Sequence, residues 1–181
     1  LGDRNEKGEA LWWEQIVQGC SGAGGGCGGL GQIGAKIGKE MGAGVTVLSR
    51  SMSKQKEAAG LGANVLAHSD KAALEAAADS FDVIIDTVSV PHDVSSLLPT
   101  LKVGGTLVTI GVILAPMAIA SDLLIGSNYK IEGSLVGGLP ETQEMFDFCY
   151  THGIKPDIKV IKASEASQQF KALAHGTASI E

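Results

Sequence analysis

The sequence predicts an α/β fold, a doubly wound parallel sheet of six strands in a single domain. Short β-branched runs alternate strictly with segments of helical apolar spacing, and the crossovers between them are long enough for parallel pairing. A glycine-rich run, GAGGGCGGLG from Gly22 to Gly31, opens the first of the helical segments. With 181 residues, 44% of them apolar, the chain has about one domain's length and enough material for a core.

Each element has a local cause. After the glycine run, Leu30, Ile33, Ile37 and Met41 recur at helical spacing until Gly42 and Gly44 stop the helix. Val45 to Leu48 then reads as a buried parallel strand that ends at Ser49-Arg50-Ser51. Ser53 is a candidate cap for a helix through Ala59, and Asn64 to Leu66 for a short strand. Asp70 caps a helix carrying Ala72, Ala73, Leu74 and Ala76. Phe81 to Val88 is the strongest strand, apolar on both faces at its centre.

Further on, Asp93 is placed to cap a short helix with Leu97, Leu98 and Leu101, ahead of a buried strand from Gly105 to Gly111. The segment from Pro116 to Ser127 leads into a strand from Lys130 to Val136. Pro140 suits a first helical residue, with Glu141 and Glu144 in the positive first turn and Met145, Phe148, Cys149 and His152 behind them. A short extended piece at Ile158 to Ile161 and a helix with Ala166, Phe170 and Leu173 close the chain.

Composition excludes several function classes. With 14 Lys and Arg against 20 Asp and Glu, the net charge of −6 argues against a nucleic-acid binder relying on broad phosphate neutralisation. No apolar run reaches the roughly 18 residues of a membrane span, and Leu1 to Lys7 is too charged for a signal peptide, so a soluble cytoplasmic chain is expected. Cys20, Cys27 and Cys149 form no CxxC pair, which suits reduced thiols and not structural zinc.

The chemistry sits on the glycine run. Gly26-Cys27-Gly28-Gly29-Leu30-Gly31 satisfies G-x-G-x-x-G, in which glycines let backbone N–H groups approach a pyrophosphate at a helix N-terminus. The plain alternative is a flexible glycine loop with Cys27 as a small residue tolerated in the turn. Ser49-Arg50-Ser51 falls 21 residues after Gly28, where an NAD site places an acid on the ribose 2′-hydroxyl. Small hydroxyls with Arg50 and Lys54 suit a 2′-phosphate instead, which points to NADP(H); the alternative is an ordinary solvated basic loop. His92 reads as a loop residue near the cofactor, and Asp82 and Asp86 as polar strand-end positions, not a catalytic pair.

The segments VTVLSRS, SFDVIIDTVSVPHD, LKVGGTLVTIGV, IEGSLVGG, TQEMFDFC and HGIKPDI, in that order, resemble the cofactor domain of zinc-dependent medium-chain alcohol dehydrogenases of the cinnamyl-alcohol-dehydrogenase-like, aldehyde-reducing kind. The likeness runs from about Gly26 to His175. It implies a Rossmann domain over 21–181, with 1–20 left unassigned. It also implies that Gly28, Gly29, Leu30 and Gly31 meet the pyrophosphate, and Ser49, Arg50, Ser51 and Lys54 the adenosine ribose phosphate. By the same resemblance Thr87, Val88, Ile110 and Val112 line the nicotinamide ribose, and Ser134, Leu135 and Val136 lie beside the nicotinamide.

Two departures from that family stand out. Its first strand would fall on Ser21-Gly22-Ala23-Gly24-Gly25, poor strand material. Its catalytic zinc is held in a separate N-terminal domain that this chain is expected to lack, so zinc is expected only there and the chain alone is expected to be inactive. The implied partners are the dinucleotide, a small aldehyde or alcohol in the complete enzyme, and a second copy paired along Lys130 to Val136. Two rival readings remain: a non-catalytic nucleotide-binding module such as a redox sensor, and a methyltransferase, which Ser49-Arg50 disfavours because that fold wants an acid there.

Overall fold

Among the described residues six parallel strands form one sheet in the order β3-β2-β1-β4-β5-β6. The computed structural model describes residues 15–19, 29–49, 59–60, 62–67 and 69–174. The strands are β1 (Gln15–Gly19), β2 (Gly44–Ser49), β3 (Asn64–Ala67), β4 (Phe81–Asp86), β5 (Leu101–Thr109) and β6 (Lys130–Gly133). Between and after them run α1 (Gly29–Glu40), α2 (Lys71–Ala76), α3 (Ser121–Ser127), α4 (Leu139–Thr151) and α5 (Ala166–Ala174). The chain winds outward from β1 in one direction through β2 and β3, then restarts beside β1 and winds the other way through β4, β5 and β6, so the order reverses between β1 and β4. Among the described residues no helix is long and apolar enough to cross a membrane.

The first described strand, β1, lies ahead of Ser21–Gly25, the segment expected for it, which is outside the described residues. β1 falls within the segment that sequence reasoning left unassigned, with Gly19 opposite Leu48 of β2 on one side and Asp86 of β4 on the other. It belongs to the sheet because it pairs on both edges, a tertiary gain that its own composition barely signals.

The rest follows local chemistry with some corrections. α1 presents Gly31, Ala35 and Gly38, buried at helical spacing, while Leu30 is 71% exposed. Small residues at these positions let the helix axis approach the strands closely, and Ile33, Ile37 and Met41 are half-buried. Gly42, at φ 85°, terminates α1 in the left-handed region that glycine enters at no steric cost. Asp70 caps α2 as expected, its Oδ1 accepting from the N–H groups of Ala72 and Ala73 at 3.0 and 3.3 Å.

The helix expected after Asp93 is only a turn, in which Asp93 Oδ1 accepts from Ser96 N–H, followed by a single 3₁₀ turn at Leu98–Thr100. Pro99 lies in that turn, and β5 begins directly at Leu101, four residues ahead of the expected start. β4 ends at Asp86 and β6 at Gly133, both shorter than expected, and 158–161 is not regular strand. The expected helix from Ser53 lies mostly outside the described residues.

The main core lies on one face of the sheet. Leu48, Ile84 and Leu107 from β2, β4 and β5 pack with Phe81, Val94, Leu97, Leu98 and Leu101, and α2 and α3 add Leu74, Leu123 and Leu124. Ile84, Leu107 and Ile131 are register partners across β4, β5 and β6, so one row of apolar side chains crosses three strands. On the other face Val47 packs with Ala63 and Val65. Over β4 to β6 that second face is an open groove of about 640 Å³, lined by Val83, Ile85, Thr106 and Val108.

Candidate functional site

In an open parallel α/β sheet, the crevice beyond the carboxyl ends of the strands at the point of order reversal is where a ligand is placed. Those residues singled out from the sequence that are described lie at that end. Gly29, Leu30 and Gly31 form the first turn of α1, which carries no acidic side chain of its own, unlike α3 with Asp122 and α4 with Glu141. A helix N-terminus carries partial positive charge and directs N–H groups outward, which suits an anionic oxygen. Gly26 and Gly28 lie outside the described residues.

Ser49 is the last residue of β2 and is buried. Arg50, Ser51 and Lys54, which follow it, lie outside the described residues. Thr87 and Val88 leave β4, Ile110 and Val112 leave β5, and Ser134, Leu135 and Val136 leave β6. Hydrogen bonds tie these exits together. The Asp86 carbonyl accepts from Ile110 N–H at 2.9 Å and Gly111 N–H at 3.0 Å, and the Thr109 carbonyl accepts from Ser134 N–H at 3.1 Å. Thr87 is half-buried and Val88 buried, whereas Val112, Leu135 and Val136 are exposed. The site is thus ordered by backbone at its centre and presents apolar side chains at its rim.

Sequence reasoning separated two residues that the structure joins. Asp86, 3% exposed in its side chain, has Oδ2 at 3.2 Å from His92 Nε2, and Oδ1 accepts from Val88 N–H at 3.0 Å. The one available signal was an acid ending an otherwise apolar run, Val83-Ile84-Ile85. Asp82, at the far end of the same strand, instead pairs with Lys102 Nζ at 3.0 Å, so the two acids of β4 serve opposite ends of the sheet. His92 also borders a recess of about 200 Å³ with Pro91, Ile113, Pro116 and Met117.

No group of three or more His, Cys, Asp and Glu side chains among the described residues could hold a metal ion. His152 stacks on Phe148 at 4.2 Å and faces Glu40 Oε2 at 3.3 Å, which ties the end of α4 to the end of α1. Lys36 of α1 adds a second tie, to Asp157 Oδ2 at 3.0 Å and to the Lys155 carbonyl at 2.8 Å.

Comparison with known proteins matches this geometry. The chain is 47% identical over 149 residues to a probable formaldehyde dehydrogenase of Bacillus subtilis, covering 82% of this chain and 43% of that protein. In structure it is similar to a cinnamyl alcohol dehydrogenase of Sorghum bicolor, with a TM-score of 0.82, 34% identity and coverage of 90% of this chain and 45% of the other. A crystal structure of CAD from Helicobacter pylori complexed with NADP(H) superposes with a TM-score of 0.74 at 31% identity, covering 91% and 45%. The chain therefore spans less than half the length of these relatives. The sequence profile of the zinc-binding dehydrogenase family matches residues 29–151, from the first turn of α1 to the end of α4. With two thirds of its length inside that match and a parallel sheet wound as in its structural relatives, this chain belongs to the zinc-binding dehydrogenase family.

Proposed function

We propose that this chain is the NADP(H)-binding domain of a zinc-type alcohol dehydrogenase or aldehyde reductase, in which hydride passes between the nicotinamide and a small alcohol or aldehyde. The observation that carries this reading is the gathering of the α1 N-terminus and the exits of β2, β4, β5 and β6 at one end of the sheet, around its order reversal. The Helicobacter pylori relative, complexed with NADP(H), supports the choice of cofactor. In this reading the domain starts at or before Gln15, because β1 is central to the sheet.

The chain's own residues would bind and orient. Gly28, Gly29, Leu30 and Gly31 would receive the pyrophosphate on backbone N–H groups, and Ser49, Arg50, Ser51 and Lys54 the 2′-phosphate. Thr87, Val88, Ile110 and Val112 would fix the nicotinamide ribose, with Ser134, Leu135 and Val136 against the ring. When bound, the cofactor supplies hydride; the protein's part is its placement and the exclusion of water from one ring face. The described residues do not fit a catalytic zinc, so no step here runs through the metal.

Titration of the 181-residue chain with NADPH, followed by nicotinamide fluorescence, is expected to saturate, with S-adenosylmethionine failing to compete. NADPH oxidation with aromatic or aliphatic aldehydes is expected to stay at background for this chain alone. No saturation by NADPH, or displacement by S-adenosylmethionine, would sink the dinucleotide assignment; aldehyde turnover with stoichiometric zinc would sink the division of labour.

Self-association belongs to the same proposal. Among the described residues β6 is the edge of the sheet, paired only with β5, and Leu135 and Val136 just beyond it are each 89% exposed. An unpaired edge followed by bare apolar side chains is a template for a two-fold mate. Sedimentation at micromolar concentration is expected to give a dimer that Leu135→Pro converts to monomer; a monomeric parent, or a dimer indifferent to the substitution, would contradict it.

A further inference from the structure

We propose that Asp86 and His92 are positioning residues that hold the loops after β4 and β5 in the shape the nicotinamide half of the dinucleotide requires. The proposal rests on the dinucleotide reading above and concerns residues to which that reading gives no role.

Asp86 is the last residue of β4, flanked by Gly19 of β1 and Thr109 of β5, and is 2% exposed. A carboxylate so placed loses its hydration, which is costly unless polar partners replace the water. Among the described residues the partners of its side chain belong to the loop after β4. Oδ1 accepts from Val88 N–H, bending the chain directly after the strand, and Oδ2 faces His92 Nε2 at 3.2 Å. The Asp86 carbonyl receives the N–H groups of Ile110 and Gly111. One residue therefore ties 87–92 to 110–111, and those segments carry Thr87, Val88 and Ile110.

His92 completes the tie. The Val90 carbonyl can only accept, so His92 Nδ1–H donates to it at 2.9 Å, which fixes the ring's orientation within its own loop. The other ring nitrogen then points at Asp86 Oδ2. Neither atom has an aligned hydrogen bond to a described residue, so the 3.2 Å contact is an electrostatic one, an ion pair when the ring is protonated. A purely structural need at this point would be met by another apolar residue, as at Ile84 and Ile85. A buried acid that reaches forward to a histidine six residues on instead specifies the path of the loop between them.

The test compares two probes on the 181-residue chain: NADPH, which reaches both halves of the site, and 2′,5′-ADP, which reaches only the adenosine half. His92→Leu is expected to weaken NADPH about five- to tenfold or more while leaving 2′,5′-ADP within about twofold, because a lost contact to a charged group misplaces only the nearby loop. His92→Gln, whose amide nitrogen offers Oδ2 a polar partner of the kind a protonated ring does, is expected to restore most of the loss. Asp86→Asn, which keeps the Val88 bond and the side-chain shape, must give the same split between probes, and it decides the matter if His92→Leu does not fold by circular dichroism. Parent-like NADPH binding by His92→Leu, equal weakening of both probes, or no rescue by glutamine would each overturn the proposal. If the parent binds neither probe, the dinucleotide reading falls and takes this one with it, a result distinct from all three.

Discussion

The unmodified chain is expected to bind NADPH about ten- to several-hundred-fold more tightly than NADH, since each charge-assisted hydrogen bond is worth roughly 1.5–3 kcal/mol and about 1.4 kcal/mol is tenfold. The argument starts at the end of β2. Leu48 is paired with Gly19 at the end of β1, so Ser49 stands one residue beyond it, at the rim of the order reversal where an adenosine ribose would lie. An acid at this exit would accept from a 2′-hydroxyl and repel a 2′-phosphate; here Ser49, Arg50, Ser51 and Lys54 bring hydroxyls and two cations instead. The local sign of charge decides the preference even though the whole chain carries −6. Arg50→Ala with Lys54→Ala is expected to erase most of the gap and leave NADH affinity nearly unchanged. Equal calorimetric affinities in the parent, or equal weakening of both cofactors in the double variant, would refute the assignment of this exit to the 2′-phosphate.

Where the sequence was legible, one physical signal dominated its segment. β2 and β4 carry unbroken apolar residues at their centres, the pattern of a buried parallel strand, and Asp70 announces α2 because its side chain is worth more as a cap than inside a helix. β1 was missed because Gln15-Ile16-Val17-Gln18-Gly19 offers only two apolar residues between glutamines; its place comes from two neighbouring strands, not from its own pattern. On α1 the periodicity announced the helix but not its most buried positions. Large apolar side chains mark an amphipathic stripe, but a helix that must approach a sheet closely presents Gly31, Ala35 and Gly38. The Asp86–His92 contact joins a strand end to a loop six residues on, a spacing that belongs to no regular period, so only the folded chain reveals it.

Gly111→Val is expected to destabilise the chain by about 1–3 kcal/mol or more and to weaken NADPH at least about tenfold, as overpacking against an immobile wall does. Gly111 follows β5 directly, and its N–H donates to the Asp86 carbonyl at 3.0 Å, which draws it against the backbone leaving β4. A Cβ built there would overlap the Val88 carbonyl and come within 2.7 Å of the Thr87 carbonyl carbon. Those are backbone atoms, and Asp86 Oδ1 already holds Val88 N–H, so the wall cannot rotate away as a side-chain tip could. Relief must come from moving Thr87 and Val88 outward, into the space proposed for the nicotinamide ribose, which is why stability and cofactor affinity should fall together. Gly133 provides the contrast, since its added Cβ would meet only Thr109 Oγ1, at 3.9 Å, and its φ is not in the left-handed region. Gly133→Ala is therefore expected within about 1 kcal/mol of the parent, because it strains nothing and removes some freedom from the unfolded chain. Urea denaturation and NADPH titration of both variants check the pair; a Gly111→Val chain as stable as the parent, or one destabilised with its NADPH affinity intact, would show that the two exits are not packed against each other as described.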